Sequence, residues 1–96
     1  MTRYLLAPLA RRDLQEIRDY IAKDSTTAAR RVVRELRAAT ESLVDMPGKG
    51  QPREDLGADL RVRVVYSYLI VYRPETRPLQ VVRIVSGYRD VPKLFE

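Results

Sequence analysis

Apolar residues in the first half of the chain recur at helical spacing, and those in the second half form short runs of strand length. From Ala10 the series Ala10, Leu14, Ile17 and Ile21 steps by four and three, with Arg11, Arg12, Glu16, Arg18 and Asp19 on the other faces, the pattern of an amphipathic helix. Arg3-Tyr4-Leu5-Leu6 ahead of it is short and apolar enough for a strand, and Pro8 ends that strand and suits the first turn of the helix. A second helix is predicted from Ser25, Thr26 or Thr27, any of which can cap it. Its stripe runs Ala29, Val32, Leu36, Ala39 and Leu43, and Met46-Pro47-Gly48 stops it. Only Lys23 to Thr26 separate the two helices, so they fold back as an antiparallel hairpin.

Residues 48–57 are dense in glycine, proline and charge and read as a loop. Leu60 to Tyr66, Tyr68 to Arg73 and Leu79 to Val85 are then rich in valine, isoleucine, leucine and tyrosine and read as strands. Pro74 to Pro78 form a hairpin connection, whereas the break at Ser67 is compatible with a turn or with one long bent strand. Two amphipathic helices followed by apolar strands require a sheet as the second layer, which gives an α+β chain of order β-α-α-β-β-β.

Strict alternation sorts the arginines. Leu60, Val62, Val64 and Tyr66 share one face, so Arg61, Arg63 and Val65 take the other, away from the more apolar side. Arg83 falls with Val81 and Val85, a charge inside an apolar run. It is expected half-exposed on the sheet face that the helices leave open, the alternative being an ion pair with Asp13, Glu16 or Asp90.

Composition narrows the chemistry. The 96 residues, 45% hydrophobic, supply one small core, so residues 1–96 are read as a single domain. No apolar run reaches membrane-spanning length and no secretory pattern opens the chain, which places it in the cytoplasm with no membrane partner. With no cysteine and no histidine, thiolate metal sites, disulfides and the most common general base are absent, and no cofactor or metal is expected. The net charge of +5 comes almost wholly from arginine, since Lys23, Lys49 and Lys93 are the only lysines. Planar guanidinium groups suit phosphates and carboxylates, so the partner expected is anionic, either nucleic acid or an acidic protein.

The order and spacing of several residues carry a resemblance. Tyr4, Leu6, Pro8, Ala10, Asp13-Leu14, Ile17 and Tyr20-Ile21 are followed by Ala29, Leu36, Leu43, Pro47, Gly50, Leu60-Arg61, Tyr72-Arg73, Arg83-Ile84-Val85 and Arg89-Asp90. Nearly the whole chain thus resembles the ParE branch of the RelE/ParE toxins. The resemblance implies a helical hairpin packed on one face of a twisted, mainly antiparallel sheet, and a toxin of a type II toxin-antitoxin pair. It also implies a cognate acidic, partly disordered antitoxin of ParD-like or similar type, and a target that differs by branch: DNA gyrase for ParE-like members, messenger RNA on the ribosome for RelE-like ones.

Departures from the nuclease pattern favour the first branch. Leu69 stands where RelE-like chains carry an arginine at the start of the middle strand, and Phe95 keeps the ring but loses the hydroxyl of a terminal tyrosine. The leading expectation is therefore gyrase inhibition by protein binding, with no catalytic residues. The alternative is a metal-independent, ribosome-dependent endoribonuclease using Arg61, Arg83 and Arg89 against phosphate, with Tyr88 as acid or base. Phenols ordinarily titrate near pH ~10, so such a tyrosine would need strong basic neighbours. The residues expected to bind a partner are Arg61, Arg63, Arg83, Arg89, Asp90, Leu94 and Phe95. Ser86 replaces a histidine frequent in ParE-like chains, Gly87 is read as permitting a backbone turn, and Arg89-Asp90 as either a local ion pair or a partner contact. Leu94 and Phe95 are expected to fold onto the sheet or the helices.

Overall fold

A computed structural model describes residues 3–96. Strand β1, Tyr4–Leu6, leads through Ala7 into helix α1, Pro8–Ala22, with the proline in the first turn, where its missing N–H costs no hydrogen bond. The Ser25 hydroxyl accepts from Ala28 N at 3.0 Å and starts helix α2, Thr26–Asp45. After a 3-10 turn at Pro47–Lys49 come β2 (Gln51–Pro52), β3 (Arg61–Val65), β4 (Tyr68–Arg73) and β5 (Leu79–Ser86). The sheet order is β1-β5-β4-β3-β2, with β1 parallel to β5 and every other pairing antiparallel. The order and the two-layer packing are those expected, with two additions: a two-residue edge strand inside the predicted loop, and a tight hairpin at Tyr66-Ser67 that resolves the break in favour of two strands.

Both faces of the sheet are covered. Leu14, Leu36 and Leu43 pack on Ile70, Tyr72, Val81 and Ile84, while on the opposite face Leu56 and Leu60 join Val62, Leu69, Val71, Val85 and Val91. That second layer explains why four successive residues of β4, Leu69 to Tyr72, are buried: the central strand faces a core on each side. Leu94 and Phe95 complete it, so the tail seals the face opposite the helices.

The predicted alternation holds in β3 and breaks in β5. Val62 packs in the layer opposite the helices and Val65 with the helix-side core, so Arg61 and Arg63 lie opposite Leu60 and Val62 as expected, but on a face that the helices cover. Arg61 Nη1 there donates to the carbonyls of Gly48 at 3.1 Å and Gly50 at 2.6 Å, closing the loop after α2. In β5, Tyr72 pairs with Val81 and Val71 with Arg83, leaving Val82 as an extra residue. This bulge shifts the phase, so Val81 and Ile84 share the helix-side face while Val82 and Val85 share the other. Gly87 does not adopt a left-handed turn. A Cβ there would lie 3.3 Å from the Ser67 carbonyl, so close strand approach favours glycine at this position.

Tyr72 fixes the loop from within the core. Its hydroxyl donates to Pro47 O at 2.6 Å and accepts from Gly50 N at 3.0 Å. Tyr72→Phe is expected to cost about 1–3 kcal/mol in chemical denaturation, since both backbone groups are left without a buried partner. Burial pushes the Tyr72 phenol up from its ordinary value. A folded value above the unfolded one adds stability that is fully present below about pH 10 and lost as the pH rises through the folded value. The phenylalanine variant is therefore expected to lose stability less steeply in that alkaline range.

Candidate functional site

The end of the sheet where β3 turns into β4 and β5 runs out gathers four of the six tyrosines of the chain. Tyr20 comes from the last turns of α1, Tyr66 from the hairpin loop, Tyr68 from the start of β4 and Tyr88 from the segment after β5. A cleft of about 530 Å³ opens there between α1 and β5, lined by Asp13, Glu16, Ile17, Tyr20, Tyr68, Ser86, Tyr88 and Arg89. A second depression of about 420 Å³, lined by Val64, Tyr66, Leu69, Gly87 and Tyr88, lies beside it. Ser67 and Tyr88 line both, and Tyr88 is 89% exposed.

Local chemistry holds this end in shape. Tyr66 adopts φ 55, a costly conformation for a bulky residue, and its hydroxyl donates to the Glu35 carboxylate of α2. Ser86 O accepts from Arg89 N and Ser86 Oγ from Tyr88 N, both at 3.2 Å, while Gly87 N donates to Ser67 O at 2.7 Å. The serine at this position thus ties down the turn that presents Tyr88. Burial, and secondarily Tyr20, push the Tyr68 phenol up, so it stays protonated and presents a neutral ring.

The wall of the cleft is an ion pair. Asp13 Oδ2 accepts from Arg83 Nε at 2.7 Å and Oδ1 from Arg83 Nη2 at 3.0 Å, and Oδ2 also takes Ile84 N at 3.0 Å. Arg83 is therefore not the half-exposed cation on an open sheet face that alternation implied; it is joined to α1, as the Asp13 alternative had it. The hydrogen bonds to Asp13, followed by its charge, raise the guanidinium pKa against the opposing pull of burial.

The residues singled out from sequence do not converge. Arg89 and Tyr88 line the cleft, and Arg83 stands beside it with its guanidinium engaged. Arg61 lies at the opposite end of β3, on the order of 13 Å along the strand from the hairpin. Arg63 is half-buried next to it, and its Nε has no hydrogen-bond partner among the described residues. Asp90 forms no ion pair with Arg89 among the described residues; its carboxylate accepts from Lys93 N at 3.4 Å. Leu94 and Phe95 are packed on the far face of the sheet.

Sequence reading missed Tyr20, Tyr66, Tyr68 and Val64. The usable signal was an aromatic residue off the α1 stripe, at Tyr20, followed by a Tyr66-Ser67-Tyr68 hairpin in a chain with few aromatics. Among the described residues, the resulting surface carries large amphipathic rings with the carboxylates of Asp13 and Glu16 and one unengaged guanidinium, that of Arg89. Such a surface recognises another protein better than it holds a phosphate. Among the described residues no group of three or more acidic, histidine or cysteine side chains is placed to hold a metal ion, and no helix is long and apolar enough to cross a membrane.

The fold is thus a small sheet with a helical hairpin on one side and an aromatic, weakly charged end, and its class follows from the family it matches. Residues 4–91 match the family described as ParE toxin of type II toxin-antitoxin system, parDE, and the chain belongs to that family. It is 33% identical over 86 residues to Toxin ParE1 of Caulobacter vibrioides, covering 88% of each chain. Y4kP of Sinorhizobium fredii is 31% identical over 86 residues, covering 90% of this chain and 88% of the relative. The fold superposes with a TM-score of 0.72 and 19% identity on a solved chromosomal ParDE TA system from P. aeruginosa, over 86% of this chain and 92% of that one.

Proposed function

We propose that this chain, as the toxin of a ParDE-type pair, inhibits DNA gyrase by protein binding and is neutralised by a cognate acidic antitoxin. The observation that carries the reading is the tyrosine-rich end of the sheet. Tyr88, Tyr20 and Tyr66 project there as rigid amphipathic rings, while two of the three arginines of a phosphate-neutralising set, Arg61 and Arg83, are held by internal partners. The net charge of +5 favours an acidic partner, and a partly disordered antitoxin can order over such a surface as it binds. Membership of the ParE family supports the antitoxin, while the gyrase target rests on the resemblance to ParE-like chains and on the departures from the nuclease pattern at Leu69 and Phe95.

Purified chain is expected to block gyrase supercoiling or to accumulate gyrase-cleaved DNA, and the antitoxin to reverse this. A translation extract given the same amount should show no codon-dependent cuts in messenger RNA. Unimpaired supercoiling at saturating toxin, together with such cuts, would replace the gyrase reading with the ribosomal one.

A further inference from the structure

Helices α1 and α2 enclose a groove of about 250 Å³ lined by Arg11, Leu14, Gln15, Arg18, Val33 and Arg37, with no carboxylate among the described residues of its wall. Arg11 and Arg37 have no carboxylate within ion-pair distance among the described residues, and Arg18 only a loose approach of 3.6 Å to Asp19. Arg30 and Arg34, both exposed, precede Arg37 by seven and three residues and so extend its row along α2. At 1.5 Å per residue that row is about 10 Å long. It matches about three phosphate-to-phosphate steps of one DNA strand at roughly 3.4 Å of helix axis each.

We propose that this interhelical arginine groove binds the phosphate backbone of duplex DNA, without reading its sequence. The inference is independent of the gyrase reading, because it concerns another surface and another ligand. Three features select the occupant. Guanidinium groups in a row with no close carboxylate, Arg37 donating only to the Tyr4 hydroxyl at 3.4 Å, are suited to phosphate oxygens. No aromatic side chain among the described residues lines the groove, whereas single strands are held by stacking on aromatic rings; the exposed Tyr20, Tyr66 and Tyr88 lie at the other site. Leu14 in the floor is already buried and Val33 partly so, which leaves little apolar area for the anchors of an amphipathic acidic helix.

The test is fluorescence anisotropy of a labelled 20-base-pair duplex with the purified full chain, titrated at several salt concentrations. Binding is expected to weaken with salt at a log-log slope of about −0.9 per neutralised phosphate. Combined R11Q, R18Q and R37Q should weaken binding at least about tenfold and bring the slope toward zero by roughly 0.9 for each phosphate no longer neutralised. A charge-matched control, R12Q with R53Q and R77Q, should retain the wild-type slope. Should the triple variant lose its helical circular dichroism, the three single variants carry the same test, each shifting the slope by about 0.9. The proposal is overturned by absence of duplex binding, by equal weakening in the groove and control variants, or by equally tight binding of single-stranded DNA or polyglutamate.

Discussion

Asp13→Ala is expected to lower the unfolding free energy by about 3–5 kcal/mol, the usual consequence of leaving half of a buried ion pair without its partner. The pair is genuinely shielded, with side-chain exposures of 9% for Asp13 and 15% for Arg83. The carboxylate also accepts from Ile84 N, so its removal leaves the guanidinium and a buried backbone donor without partners. For a domain of this length the melting temperature should fall on the order of 20 °C. Arg83→Ala should cost less, because the carboxylate keeps Ile84 N. Replacing both residues with leucine should recover much of the stability, because an apolar pair removes the uncompensated charge. Urea denaturation of the four proteins measures the three losses relative to the wild type. A cost below about 1 kcal/mol for Asp13→Ala would mean that the pair behaves like an exposed one.

That same pair shows what the sequence could not reveal. The element order was legible because it rests on local signals: helical spacing from Ala10 to Ile21, Pro8 at the start of α1, Ser25 as cap, and the Pro74–Pro78 break. Which way Arg83 points depends on a bulge at Val82, an extra residue that strict alternation cannot register. Arg61 lies opposite Leu60 and Val62 as alternation requires, yet its face is the helix side, because the apolar layer around Leu56, Leu60 and Val91 comes from a loop and a tail rather than from regular elements. With both sheet faces apolar, alternation no longer distinguishes core from solvent. The candidate site suffered most, since its residues come from α1, the hairpin, β4 and the turn after β5. Tyr88 and Arg89 are the cleft residues singled out for chemistry; Asp13, Ile17 and Tyr20 mark the resemblance, and the packing of α1 on β5 with the register of β4 on β5 brings them together.

If the proposed gyrase interface centres on this end of the sheet, Tyr88→Ala is expected to weaken inhibition of gyrase by about 30-fold or more, the effect of removing a central aromatic anchor. Tyr88 is 89% exposed and its backbone is held by Ser86 Oγ, so the melting temperature should stay at the wild-type value. Weakened inhibition with an intact fold would locate the effect in binding. Tyr88→Phe is the decisive companion. A docked ring contributes area, which phenylalanine preserves, so this variant should keep most of the inhibition. A ribonuclease that moves a proton through the phenol would instead lose its cleavage with the hydroxyl, however well the ring still packs. Gyrase supercoiling and messenger RNA cleavage measured on the two variants therefore separate a docking role from a chemical step at one side chain. Arg89→Gln adds a third readout: as the unengaged guanidinium of the cleft, its removal should slow association and flatten the salt dependence while the dissociation rate changes little.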